Sequence, residues 1–129
     1  MVELPLEWVE KADVLIDDAE RHLREGHYWL TCFEAQQAAE LYLEALIVAL
    51  TGTHPFTHDL AELLEALREL DISVPDELFV YADALTPHYT MARYPGRKPL
   101  RYDRELGERC LRYARRIIDW VKEAASKIS

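Results

Sequence analysis

Apolar residues recur at three- and four-residue steps along most of the chain, with polar residues filling the gaps. From Pro5, a favoured first-turn residue, Trp8, Ala12, Leu15, Ile16, Ala19 and Leu23 share one side. Glu10, Asp13, Asp17 and Arg21 take the other side, and Gly26 ends the pattern. A second helix is predicted from about His27 to Leu50, apolar on nearly every side through Trp29, Phe33, Ala38, Leu41, Tyr42, Ala45, Leu46 and Ala49. Such a helix belongs at the centre of a fold, and Thr51 and Gly52 stop it. The third starts near Thr57 as N-cap, with Asp59 in its first turn, and carries a narrow stripe of Leu60, Leu63, Leu64, Leu67 and Leu70. The fourth has Pro75, Asp76 and Glu77 in its first turn and buries Leu78, Phe79, Ala82 and Leu85, and Pro87 must kink or restart it. Residues 94–102, with Pro95, Gly96 and Pro99, form a loop. Asp103 then caps a long last helix whose seam is Leu106, Cys110, Tyr113, Ala114, Ile117, Val121, Ala124 and Ile128. No run alternates in the two-residue period of a strand. The expected fold is all-α, an up-and-down antiparallel bundle of four to five helices forming one domain over residues 1–129.

Composition refines this picture. A chain of 129 residues can bury a core without disulfide staples, and it contains no long apolar run or basic-then-apolar leader, so a cytoplasmic location and no membrane contact are expected. Cys32 and Cys110 lie in apolar helical patterns without Cys-x-x-Cys spacing and read as reduced core residues. The chain has no asparagine and only Gln36 and Gln37 as glutamines, a depletion of thermolabile amides that points to a thermophile. The net charge of −9 opposes indiscriminate binding to nucleic acid, but the charge is unevenly placed. Residues 1–92 carry four basic groups against nineteen acidic ones, whereas residues 93–116 carry nine basic groups against three acidic ones. An anionic partner is therefore expected at the second segment.

Candidate chemistry is sparse. His54 and His58 have a helical metal-ligand spacing, but Pro55 and the Thr57 cap put them in a connector with no adjacent third ligand, so no metal is expected. Cys32 and His27 could form a nucleophile pair, and a core role for the cysteine is preferred. The four glycines form no phosphate cradle, and neither a cofactor nor a catalytic residue is assigned. The dense polar-aromatic segment from Thr86 to Arg101 supplies the candidate ligand-binding residues Tyr89, Arg93, Tyr94, Arg97, Lys98 and Arg101, because arginine beside flat rings suits a phosphate with a stacked base. The bland alternative has both tyrosines anchoring the loop and Arg93 pairing with an acid such as Asp83 or with a helix carboxyl end. In the last helix Arg109, Arg112 and Arg116 share a face that is either solvated or paired with another subunit.

Two stretches carry a family resemblance. Residues 27–67, HYWLTCFEAQQAAELYLEALIVALTGTHPFTHDLAELLEAL, and residues 85–95, LTPHYTMARYP, resemble the HEPN domain family. The first is similar to that family's A-x-Q-x-A-E-x-x-L-K-A-L helix, at Ala35, Gln37, Ala39, Glu40, Ala45 and Leu46, followed by its His-Asp-Leu turn at His58, Asp59 and Leu60. The second is similar to its Y-x-x-x-R-Y-P signature, at Tyr89, Arg93, Tyr94 and Pro95. The resemblance implies a helical bundle, a homodimer, a nucleotide ligand, and pairing with a minimal nucleotidyltransferase in a two-gene, toxin–antitoxin-like module. Many members are ribonucleases with a late Arg-x4-6-His motif shared across the dimer cleft, and here no histidine follows Arg93. The one formal match, Arg21 with His27, straddles the first turn and is set aside as chance. The expected function is a non-catalytic nucleotide-binding and assembly module, the alternative a HEPN ribonuclease toxin.

Overall fold

The computed structural model describes residues 1–96 and 101–128. Six helical elements follow in order: α1 (Leu6–Arg24), α2 (Tyr28–Thr51), α3 (Leu60–Glu69), α4 (Asp76–Leu85), the one-turn α5 (His88–Met91) and α6 (Arg104–Lys127). Among the described residues there is no strand. The fold is the expected all-α bundle, with α5 as the restart that Pro87 enforces: lacking an N–H, proline cannot extend the ladder of α4.

α2 lies at the centre, packed against every other helix. Fourteen of its residues are buried, including Tyr42, Leu43, Leu46 and Ile47, as its all-round apolar pattern requires. Gly52, at φ +85°, closes it in the left-handed region, its N–H donating to Val48 O. α1 returns along α2 through a tight turn in which Gly26 also takes a positive φ. The seam of α6 buries Cys110, Ala114, Ile117, Ile118 and Val121 against α2, α1 and α4. Gly107 permits the close approach of α6, since a Cβ there would lie 2.9 Å from Leu23 Cδ1.

Some details differ from the sequence expectation. The N-cap of α3 is Asp59, whose carboxylate accepts from the N–H groups of Ala61 and Glu62, and Thr57 instead accepts from Asp59 N. A carboxylate two bonds from its backbone reaches both first-turn donors and adds charge favourable to the helix dipole, which explains its precedence. Trp29, assigned to the apolar surface of α2, is 42% exposed. Apart from Trp29 and Thr51, the residues of α2 are buried or half-buried within one chain.

One linkage positions the site. Thr86 Oγ1 accepts from Leu60 N at 3.0 Å while donating to Ala82 O. The start of α3 is thereby held against the break between α4 and α5, which brings residues 58–59 next to residue 89.

Candidate functional site

On α2, Phe33, Gln36, Gln37 and Glu40 lie within two turns and face the connector to α3 and the helix α5. Gln36 is fully buried, and its amide donates to His58 O at 2.9 Å and to Glu40 Oε1 at 3.2 Å. Gln37 donates in turn to the Gln36 carbonyl oxygen. Glu40, also buried, lies 3.0 Å from His58 Nδ1. This polar network orients the His58 ring, which stacks on Tyr89 with centroids 3.6 Å apart and planes 14° from parallel. The two stretches that carried the family resemblance thus meet face to face.

Arg93 completes the arrangement. Its guanidinium lies 4.8 Å from the Phe33 ring centroid and 4.7 Å from that of Tyr89, and its Nε donates to Tyr89 O at 2.8 Å. Asp83 is not its partner, and among the described residues no carboxylate lies within ion-pairing distance of it. Its tie is to the carbonyl of the preceding turn and to two ring faces, and the side chain is exposed. The fork of Arg93 is thereby held in place without its charge being neutralised. Tyr94 follows at 62% exposure and Arg101 is exposed. Arg97 and Lys98, also assigned to the binding segment, lie outside the described residues.

Three carboxylates of α2 face inward, a feature the sequence did not disclose. Glu34 lies 2.6 Å from His22 Nδ1 on α1. Burial pushes the Glu34 carboxyl above its ordinary value, opposed by its histidine neighbour. Glu44 is raised by burial and by Glu40, against the pull of His54 at 3.6 Å and a hydrogen bond from Trp8. His54 and His58 therefore serve α2 carboxylates separately. Around Glu34 the geometry also collects Arg21, 3.4 Å from His22 Nε2, and His27, whose ring centroid is 6.0 Å from that of His22.

The arginines of α6 are largely accounted for within the chain: Arg109 pairs with Glu105 and Arg115 reaches Glu20 on α1 at 2.7 Å. Arg116 approaches Tyr81, and Arg112 lies over the Tyr113 ring.

The two cysteines are buried in the core, as expected, but they are neighbours across it and His88 joins them. Cys110 is pulled down to about 6, first by a hydrogen bond from Cys32 and then, against burial, by His88; Cys32, the donor, is pushed up. Positions 32, 88 and 110 sit on three different helices, so no local spacing could have revealed the group.

A family model described as the HEPN domain matches residues 6–124. A solved structure from Thermus thermophilus is 35% identical, covers 92% of this chain and 95% of its own, and superposes with a TM-score of 0.84. An archaeal HEPN homologue is 27% identical, with coverage of 91% and 93% and a TM-score of 0.74. A HEPN domain protein from Thermotoga maritima is 28% identical, with coverage of 95% and 99% and a TM-score of 0.78. No curated protein matches the chain.

Proposed function

The chain belongs to the HEPN domain family, and from that premise we propose that it is a non-catalytic nucleotide-binding and assembly module, the partner of a minimal nucleotidyltransferase in a two-gene, toxin–antitoxin-like system. The observation that carries this reading is Arg93: an exposed guanidinium held over Phe33 and Tyr89, bonded to a backbone carbonyl and without a carboxylate partner among the described residues. A phosphate can take the open side of the fork in a bidentate contact, and exposed Tyr94 offers a flat face for a base. The acidic remainder of the chain repels extended nucleic acid, which favours a small ligand or a docking partner over a polyanion. Replacing Arg93 with lysine keeps the charge and loses the fork, so affinity for ATP should fall about tenfold with the melting temperature nearly unchanged. Arg93→Ala should lower affinity further. Equal titration curves for the wild type and both variants would remove the site.

A second reading, ribonuclease activity, is favoured by one observation, the grouping of His22, Glu34, Arg21 and His27 at the α1–α2 turn. A histidine held by a carboxylate beside an arginine is a general-base arrangement. The proposed binding role predicts that the purified chain leaves single-stranded RNA intact. Cleavage that His22→Ala abolishes would reverse the assignment.

A further inference from the structure

We propose that Cys32, His88 and Cys110 together bind a thiophilic metal ion of the zinc type at the junction of α2, α5 and α6. Both sulfur atoms and a ring nitrogen of His88 lie within 4.8 Å of one another. Zinc–sulfur and zinc–nitrogen bonds of about 2.3 and 2.0 Å place neighbouring donors about 3.5–3.8 Å apart in a tetrahedron, so shifts of about an ångström or less convert the present packing into coordination. All three residues are buried, at 0%, 3% and 2% exposure for Cys32, His88 and Cys110. No other group of three such side chains among the described residues converges this closely.

The donor set fits the class of ion. Two thiolates and an imidazole select soft or borderline cations over magnesium or calcium, which prefer oxygen. A divalent ion with two thiolates and a neutral imidazole carries no net charge, so the complex is compatible with a buried position where an isolated charge is not. The two thiol protons leave to solvent as the ion enters. Cys32 Sγ at present makes a long contact to Leu106 O, at 3.7 Å, and a hydrogen bond to Cys110, a partner it would keep as a fellow ligand on turning to a metal. The Tyr102 hydroxyl lies 2.6 Å from His88 Nδ1 and sets the ring plane, as the second nitrogen of a metal-bound histidine is commonly held. The chain supplies three donors and a water molecule takes the fourth position, as in zinc sites that keep one open position.

The position gives the ion a structural consequence. His88 opens the one-turn helix α5, and Tyr89, which stacks on His58, is the next residue. A metal on His88 would fix α5 to α2 and α6 and, on the reading of Tyr89 and Arg93 given above, stiffen the nucleotide shelf.

Cobalt(II) is the probe, because its thiolate charge-transfer band reports sulfur coordination directly and without reference to nucleotide binding. The full-length chain, reduced and with both thiols titratable after denaturation, is expected to take up one cobalt per chain with that band, and zinc should displace it. The band should weaken by about half in Cys32→Ser and in Cys110→Ser and vanish in the double variant. His88→Gln should lower cobalt affinity at least tenfold while retaining the helical circular dichroism, and His54→Ala should bind as the wild type does. Zinc should raise the melting temperature of the wild type and leave that of the double cysteine variant unchanged. A reduced wild-type chain that gives no thiolate band at stoichiometric cobalt overturns the proposal whatever the variants do. So does uptake that follows His54 instead of the cysteines, or a chain that oxidises to a Cys32–Cys110 disulfide and binds no cobalt after reduction. Because the band and the ATP titration are separate measurements, failure of the metal site and failure of the nucleotide site are told apart.

Discussion

Glu44 shows how a single buried acid makes the fold sensitive to pH. Its carboxyl is held above the ordinary range by burial first and by the neighbouring charge of Glu40 second. A folded-state value above that of the unfolded chain means that the folded protein binds the proton more tightly. The associated stability is present below the unfolded value and is lost as pH rises through the folded one. Glu34 contributes in the same direction, moderated by His22. Glu44→Gln removes the ionisation without removing the side chain's volume. Its melting temperature relative to the wild type should therefore climb between pH 4 and pH 7, and a difference that shrinks over that interval would contradict the assignment. The burial of these acids was not legible in the sequence, although Glu40 stood in the motif of α2 that carried the family resemblance. Glu34, Glu40 and Glu44 sit in a helix whose apolar residues dominate every face, and nothing local distinguishes an acid held by histidine from a solvated one. The Arg93 shelf was half legible: Tyr89 and Arg93 were singled out by composition, whereas Phe33 and His58, which complete it, come from α2 and its connector and needed the fold to be placed.

Helix ends were the most readable elements, because capping is local chemistry. Gly52, Pro87 and Asp103 act where the sequence puts them, Pro5 stands one place ahead of α1 as its N-cap residue and not in its first turn, and the start of α3 also departs. There Thr57 accepts from Asp59 N, Asp59 from Ala61 N and Glu62 N, and Thr86, a residue 26 positions downstream, from Leu60 N. Asp59→Ala leaves the Ala61 and Glu62 N–H groups without their side-chain acceptor and should cost about 1 kcal/mol, the usual worth of an N-cap. For a domain of this size that corresponds to a fall of about 4 °C in melting temperature. Thr57→Ala removes a single bond to Asp59 N and should cost less than half as much. Thermal melts of the two variants side by side would reveal a cap at Thr57 if the order were reversed.

At the scale of the molecule, the fold class followed from periodicity, while the sites are made of long-range meetings that periodicity cannot express. Residue 58 with residue 89, residue 22 with residue 34, and residues 32, 88 and 110 are brought together by the crossing of helices, and each residue alone has an unremarkable structural explanation. Self-association is likewise a property of the whole surface. The apolar argument for it rests on exposed side chains such as Trp29, Val14 and Phe56, at 42%, 59% and 99% exposure. Charge supplies a second argument. A chain of net charge −9 repels its copy on average, yet residues 93–116 carry nine basic groups against three acidic ones, and those not already paired within the chain can meet acidic residues of a second copy. The expected state is a homodimer of the 15.0 kDa chain at micromolar concentration. If opposite charges hold it, light scattering should show dissociation as sodium chloride is raised past the range where the screening length falls to about 3 Å, near 1 M. If apolar contacts hold it instead, salt should leave the mass unchanged and Trp29→Glu should yield monomer. A mass of one chain at low salt and tens of micromolar protein would exclude both arrangements and leave assembly to a different partner.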